Sequence, residues 1–414
     1  GRSCISKTDA ASPGAPEPRS PRVPPVSTAY RVQGTKYKYQ AIAAGHGTRP
    51  ATARPHIRLT PHMRILAELM TSSFTAGIVG ASGYAGGELV RFIDGHPSME
   101  LVFLGAHSKA GRRLGEVHPH LDGGERVLEG FRPDALAGVD VVFFALPHGA
   151  SADPAMELAP RGSKIVDLGS DFRMDTAARY RDAYQVDHPY PEQLGTWAYG
   201  IPELFADDIV GADLVAAPGC YPTSAVLGLA PLIRAGLVEP TGIVADAMSG
   251  VSGAGRSVSE GLMFGAIDES VKAYKVLQHR HRPEMERALD VSSETPTSVL
   301  FVPHLVPMQR GILSTMYANA VNGTSQADLE TALDVAYEGS RFVRRIDEPP
   351  QTRWVVGSNN ALLSVHLDDR TGIAVILSAI DNLVKGAAGQ AVQCANLMLG
   401  IDEHAGLPTQ GWMP

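Results

Sequence analysis

The sequence predicts an α/β chain with two domains: a doubly wound parallel sheet first, then an α+β domain whose mixed sheet is largely antiparallel. Three observations carry this. Short, largely apolar runs at Phe74 to Val79, Glu100 to Ala106, Val139 to Ala145 and Ser163 to Leu168 alternate with helix-length segments, as buried parallel strands do. A glycine-rich turn, Gly80-Ala81-Ser82-Gly83-Tyr84-Ala85-Gly86, joins the first run to a helix-like stretch, Glu88 to Ile93. Beyond residue 297 the period changes to long alternating runs, Ser298 to Val306, Gly311 to Val321, Ala361 to Leu367 and Gly372 to Ile380. A chain of 414 residues has room for two cores of ordinary domain size.

Upstream of Phe74 the composition differs. Pro, Ser, Thr, Ala and Arg dominate, acids are limited to Asp9, Glu17 and Glu68, and prolines crowd Pro13 to Pro25. So little apolar surface cannot offset the entropy of ordering, so residues 1–73 read as a disordered extension. An arginine-rich, acid-poor leader fits a plastid or mitochondrial transit peptide, and translation from too far upstream fits as well, since the first methionines are Met63 and Met70. Without a leader the expected location is cytoplasmic.

The turn at Gly80, Gly83 and Gly86 reads as a Rossmann-type dinucleotide cradle, with a strand before it and a helix whose amides meet the pyrophosphate. The second run ends in His107-Ser108-Lys109 with Arg112 and Arg113 beyond, where an NAD site would present an acid to the ribose. No acid is there, and Ser108 with Arg112 suits a 2'-phosphate, so the expected cofactor is NADP(H). Leu146-Pro147-His148-Gly149 and Gly169-Ser170-Asp171-Phe172-Arg173 follow later strand ends, on the crevice where open α/β sheets bind ligands. His148 and Arg173 are equally readable there as a capping residue and an ion-pair partner.

Pro218-Gly219-Cys220-Tyr221-Pro222-Thr223 lies where the apolar run Leu214 to Ala217 turns into a helix-like run, Ser224 to Ile233. A cysteine at a helix start meets free amides and the positive dipole end, which should pull its pKa from about 8.5 toward neutrality and make Cys220 a reactive sulfur. Gly242 to Met248 then leads into Ser249-Gly250-Val251-Ser252-Gly253-Ala254-Gly255-Arg256, a small-residue loop ending in a cation and suited to an anionic substrate. Ser249, Gly250, Arg256 and Arg310 are the candidate substrate contacts. Thiol chemistry on an acyl group needs an acid and base near neutral pH, and His279 and His281 are the candidates. A two-apart histidine pair with no third ligand at recognisable spacing gives no metal site. A helix is expected at Gln326 to Tyr337, and a last one from Asp381 to about Leu399, with Cys394 in the core.

Three scattered cysteines, Cys4, Cys220 and Cys394, make neither a disulfide framework nor a zinc site, and a net charge of -8 offers nucleic acid no basic surface. No apolar run reaches the roughly 18 residues of a membrane span.

From Phe74 to Pro414 the chain resembles the N-acetyl-gamma-glutamyl-phosphate reductase family, arginine-pathway relatives of aspartate-semialdehyde dehydrogenase. The resemblance rests on the glycine turn with Gly87 and Glu88, His118-Pro119-His120-Leu121, Ala145 to Gly149, Ser170 to Arg173, Pro218 to Thr223, His279-Arg280-His281-Arg282-Pro283-Glu284 and Asp381-Asn382-Leu383-Val384-Lys385-Gly386. It implies Cys220 as nucleophile and His279 as acid and base. Around NADP it places Gly80, Ser82, Gly83, Tyr84, Gly86, Pro147 and Asn382. It further implies a cofactor domain over 74–219 completed by 382–414, a catalytic and oligomerisation domain over 220–381, and a homodimer or homotetramer. The implied reaction is NADPH-dependent reduction of N-acetyl-glutamyl 5-phosphate to the semialdehyde through a Cys220 thioester, with protonated His279 supplying a proton. Aspartyl phosphate or a carrier-bound aminoadipyl phosphate would suit the same chemistry, and a non-catalytic NADP-binding regulator is the alternative outside enzymes. Ser224 stands where the family more often has Gly or Ala.

Overall fold

The structure, a computed structural model, describes residues 73–293 and 296–413. The expected extension therefore lies outside the described residues except for Ser73.

Six parallel strands form the first sheet in the order β2-β1-β3-β4-β6-β5: β1 Phe74–Val79, β2 Met99–Gly105, β3 Val141–Phe144, β4 Lys164–Asp167, β5 Ala198–Tyr199 and β6 Leu214–Ala216. All four residues of β3 are wholly buried, as strands covered on both faces require. Helix α1, Tyr84–Asp94, packs on β1 and β2, and α2, Pro202–Ile209, enters through Pro202 at its first turn. Beyond β6 comes α3, Cys220–Arg234, buried from Tyr221 to Ile233 and bearing Pro222 in its first turn, where the missing amide hydrogen costs nothing.

Helix α3 packs on the second sheet, whose seven strands run β11-β12-β13-β10-β7-β9-β8. They are β7 Ile243–Ser249, β8 Lys272–Ala273, β9 Val299–Leu305, β10 Ile312–Asn319, β11 Val343–Arg345, β12 Ala361–Asp368 and β13 Ile373–Ile380. The β7/β10, β10/β13, β12/β13 and β8/β9 pairs are antiparallel, while β7/β9 and β11/β12 are parallel. One face is covered by α3, by α4 (His281–Ser293) on β9 and by α5 (Gln326–Ala336) on β12. The other face carries Val244, Met248, Leu300, Leu313, Tyr317 and Val375, all partly or fully exposed although largely apolar.

The last helix begins later than its sequence suggests. Asp381 turns its carboxylate onto the amides of Leu383 and Val384, a π-helical turn covers Val384–Ala388, and α6 runs from Gly389 to Met398. It returns to pack on α1, α2 and β4. Lys385 in the π turn is fully buried and pairs with Glu203 of α2 at 2.7 Å, and Cys394 is core.

Candidate active site

The glycine turn is shaped by contacts that only glycine permits. Gly80 has φ +99°, and a Cβ there would overlap the carbonyl of Ala145 at the end of β3. A Cβ on Gly86 would overlap the Gly80 carbonyl and sit 2.7 Å from the Ala81 Cα. Gly83 caps α1 and donates its amide to Gly80 O at 3.1 Å. The His118 ring closes on Gly87, where a Cβ would lie 2.6 Å away, and its Nε2 pairs with Ala81 O at 2.8 Å. The helix amides are thus held beside a cleft of about 610 Å³ lined by Tyr84, Glu88, His118, His120, Arg256 and Arg310. A narrow turn, a helix start and an adjacent cation are what a dinucleotide pyrophosphate requires, so the residues fit that group.

Arg256 crosses from the second domain to this turn, donating to Ser82 O and Val117 O at 3.0 Å each, with its guanidinium 5.4 Å from the Tyr84 ring centre. Arg310 is engaged by two carboxylates, Glu88 at 3.1 Å and Asp381 at 3.1 Å. Ser249 turns its hydroxyl onto Gly250 O, and Gly250 is wedged against the backbone of Gln309 and Arg310. Asn382 uses both ends of its amide, accepting from Gly311 N at 2.8 Å and donating to Ser252 Oγ at 3.0 Å. Ser108 and Arg112 are exposed in the loop after β2, and Arg112 pairs with Glu116 at 3.1 Å. Pro147 is exposed beyond the end of β3.

At the neighbouring strand ends, Asp171 accepts from the amides of Gly149, Ser151 and Ala152 at 2.8 to 3.0 Å and from Ser151 Oγ at 2.9 Å. Burial opposes its ionisation, but hydrogen bonds from His148, Gly149 and Ser151 outweigh it and bring the pKa down to about 2. Ser151 Oγ also lies 2.9 Å from Asp167, although one hydroxyl hydrogen cannot serve two carboxylates. Asp167 resolves the conflict by holding a proton: burial, then the charge of Asp171, raise its pKa to about 7. His148 is fixed by Ser170 Oγ at 2.6 Å and stacks on Tyr184 at 4.0 Å.

Cys220 opens α3, half-buried, with Gly386 of the π turn so close that a Cβ there would lie 2.7 Å from the cysteine Cβ. The expected fall in its pKa is reversed. Burial drives the thiol up to about 11, and the Tyr221 amide and the charge of Arg173 offset only part of that. The helix dipole is a fraction of a charge, whereas desolvation acts on the whole of it.

The second domain supplies the histidines. His279 precedes α4 and His281 begins it, and their rings sit 4.7 Å apart, edge to face. Both meet the Tyr221 ring, at 5.6 and 5.9 Å. The His281 ring lies against Gly219, where any Cβ would overlap it. His279 Nδ1 accepts the His281 amide at 3.2 Å, so the neutral ring carries its hydrogen on Nε2. Burial, then Arg280 and Lys275, hold His279 down to about 3, and burial likewise keeps His281 unprotonated. In the free protein His279 therefore rests as a neutral ring.

Sequence reasoning missed the role of Glu284. Fully buried in the first turn of α4, it accepts from Gly219 N at 2.8 Å and Tyr199 OH at 3.0 Å, and pairs with Arg173 at 3.3 Å. It thereby ties the peptide before Cys220 to β5, to the loop after β4 and to α4. Its sequence signal was its place at the end of the block from His279 to Glu284.

Residues 75–212 match the model of the semialdehyde dehydrogenase NAD binding domain, and residues 220–382 that of the semialdehyde dehydrogenase dimerisation domain. N-acetyl-gamma-glutamyl-phosphate reductase of Moorella thermoacetica is 46% identical over 343 residues, 82% of this chain and 99% of that one. The chain belongs to the N-acetyl-gamma-glutamyl-phosphate reductase family. The Rhodopirellula baltica member of that family is 42% identical over 346 residues, 82% of this chain and 99% of its own. Among solved structures, aspartate semialdehyde dehydrogenase II of Vibrio cholerae complexed with ASA shares the fold with a TM-score of 0.61 at 19% identity, over 80% of this chain and 99% of that one. Aspartate semialdehyde dehydrogenase with NADP from Candida albicans gives the same TM-score at 16% identity, over 80% and 99%. This chain thus shares its fold with aspartate semialdehyde dehydrogenases.

Proposed function

We propose that the chain reduces N-acetyl-L-glutamyl 5-phosphate to N-acetyl-L-glutamate 5-semialdehyde and phosphate, in arginine biosynthesis. The observation that carries this reading is Cys220 at the start of α3, opposite a buried pair of neutral histidines and on the same sheet edge as the glycine turn. Its relatedness to reductases of that name supports the substrate.

The chain's own residues and one solvent proton account for the proton traffic. Cys220 Sγ bonds to the acyl carbon as the bond from that carbon to the phosphate oxygen breaks, and the thiol hydrogen leaves with phosphate. A neutral His279 offers Nε2–H toward the acyl oxygen, stabilising charge without itself needing to be a cation. NADPH, held by the glycine turn, would supply the hydride that reduces the acyl group. When the aldehyde departs, the C–S bond breaks, Cys220 leaves as thiolate and takes up one proton from solvent water, while His279 keeps its Nε2 hydrogen. Glu284 keeps the Gly219 peptide oriented throughout, because its carboxylate is anchored by Arg173 and Tyr199. His281 backs the Gly219 turn.

Gly80, Ser82, Gly83, Tyr84 and Gly86 would hold the pyrophosphate, Ser108 and Arg112 would take the 2'-phosphate, Pro147 would contribute to the cofactor site, and Asn382 braces the cleft. Arg256 belongs with this group, because its reach to Ser82 O favours cofactor phosphate over substrate carboxylate. Ser249 and Gly250 shape the substrate loop, and Arg310, held by Glu88 and Asp381, braces its wall. Residues 74–219 with 382–414 act as the cofactor domain and 220–381 as the catalytic one. The open apolar face of the second sheet suits a homo-oligomer, with a homodimer as the smallest unit and a homotetramer as two of these.

The test is the reverse assay: N-acetylglutamate semialdehyde, phosphate and NADP, followed as NADPH absorbance beside aspartate semialdehyde. Turnover of the acetylated substrate in preference supports the reading. Faster turnover of aspartate semialdehyde, or none of either with NADP still bound, refutes it.

A further inference from the structure

A buried cation sits one residue from the backbone that walls in the nucleophile, and it has no part in the proton traffic described above. Lys385 is wholly buried in the π turn, where its Nζ donates to both carboxylate oxygens of Glu203, at 2.7 and 2.9 Å, and to Gln393 Oε1 at 3.0 Å. Three ammonium hydrogens thus meet three acceptors. The acceptors are themselves fixed, because Gln393 donates to Glu203 and to Glu403 at 3.0 Å each and accepts from Asn359 Nδ2 at 3.0 Å. Glu203 lies in the first turn of α2 and Gln393 in α6, so the network joins the parallel-sheet domain to the end of the chain. Apolar side chains of similar volume can fill such a space about as stably, so stability alone does not call for an ion pair here. The next residue along is Gly386. A Cβ on it would lie 2.7 Å from the Cys220 Cβ and 3.1 Å from the Cys220 Cα, so its backbone meets the nucleophile with no side chain between. Gly386 N donates to Asp381 O at 2.9 Å, and Asp381 is held by Arg310. The turn is therefore anchored at its start by Asp381 and beside Gly386 by Lys385, and π-helical turns are rare and often mark functional sites.

We propose that Lys385 is a positioning residue for the nucleophile: through its pair with Glu203 it sets Gly386 against Cys220 and so fixes the direction of the sulfur. The inference rests on the reaction proposed above and adds to it a wholly buried residue that acts through its neighbour. As the first residue of α3, Cys220 has no helical turn before it, and Gly386 supplies the wall on that side. Glu284 fixes the peptide before the sulfur, and Lys385 fixes the wall beside it. A misplacement of about 1 Å at a reacting group can cost about 100-fold in rate, so a tether of three short hydrogen bonds has an effect on chemistry out of proportion to its effect on folding.

The experiment compares the full chain with Lys385→Met/Glu203→Gln by reverse-assay kinetics, iodoacetamide alkylation of Cys220 with peptide mapping, NADP titration and melting. The double variant removes both charges together and leaves Gln393 an amide partner at position 203. Its kcat should fall at least about 10-fold with KM and NADP affinity within about twofold, because the sulfur is misaimed while the cleft is intact. Alkylation at pH 8 should meanwhile become about 10-fold faster, since a loosened wall admits water to a thiol that burial drives up to about 11. Slower turnover by a more reactive sulfur separates lost aim from lost fold, which a lower melting temperature alone would not do. Glu203→Asp keeps both charges and shortens the tether by one methylene. It should show the same two changes to a smaller degree, and it decides the question should the double variant not fold. The proposal is overturned if folded variants keep the wild-type kcat and alkylation rate, if kcat falls while Cys220 alkylates as in wild type, or if KM or NADP affinity carries the loss. Absence of wild-type turnover would refute the assigned reaction, while the alkylation comparison would still decide whether Lys385 fixes the sulfur.

Discussion

Cys220 is expected to rest as a thiol, and alkylation by iodoacetamide across pH measures this directly. At pH 8 a thiol raised to about 11 is roughly one part in a thousand thiolate, against about one part in ten at the ordinary 9.0. The unliganded protein should therefore react about 100-fold more slowly than a free cysteine peptide, and its rate should climb about tenfold per pH unit from 8 to 10 without levelling. Peptide mapping separates Cys220 from Cys4 and from Cys394, which burial also drives upward. Glu284→Gln removes a negative charge that opposes the thiolate while keeping an acceptor for Gly219 N, so it should speed alkylation. A rate that levels off below pH 9, or a variant slower than wild type, would show that burial does not govern this sulfur.

Cys220→Ser should abolish turnover and leave NADP affinity unchanged by titration, because the sulfur acts on the acyl group; a tenth of wild-type activity would sink this. His279→Asn should lower the turnover number by about 100-fold or more and His281→Asn distinctly less, checked by steady-state kinetics. The His279 ring nitrogens should not titrate between pH 5 and 8 in 15N spectra, since the ring is held down to about 3. For Asp167, raised from 3.8 to about 7, the native state keeps a proton that the unfolded chain has already lost. Its stabilisation is therefore present below about pH 4 and lost as pH rises to 7, roughly 4 kcal/mol in all. Melting curves of Asp167→Asn should flatten over that window, and curves parallel to wild type would reject the shared proton.

Much of the scaffold was legible because its signals are local. Burial on both faces makes β3 a continuous apolar run and leaves β1, β2 and β4 largely apolar, and the glycine turn announces itself by spacing. The two-residue β5 and β8 and three-residue β11 are too short to show a period, and only neighbouring strands define them. The site was legible in its residue types and not in its charges. Arg310 looked available until the fold brought Glu88 and Asp381 to it, and Cys220 looked activated until its surroundings were seen to be dry. His279 precedes the helix and His281 opens it, so the two rings meet, which their spacing alone does not show.

Gly386 pressed against Cys220 ties the middle of the chain to nearly its end. During synthesis the nucleophile emerges and its helix can form long before the residues that wall it in have been translated. The nascent protein thus carries an unfinished pocket, and premature termination between Cys220 and the π turn yields a cradle and a thiol with no closed site between them. Completeness of the message is in effect a precondition for the chemistry, written into the topology.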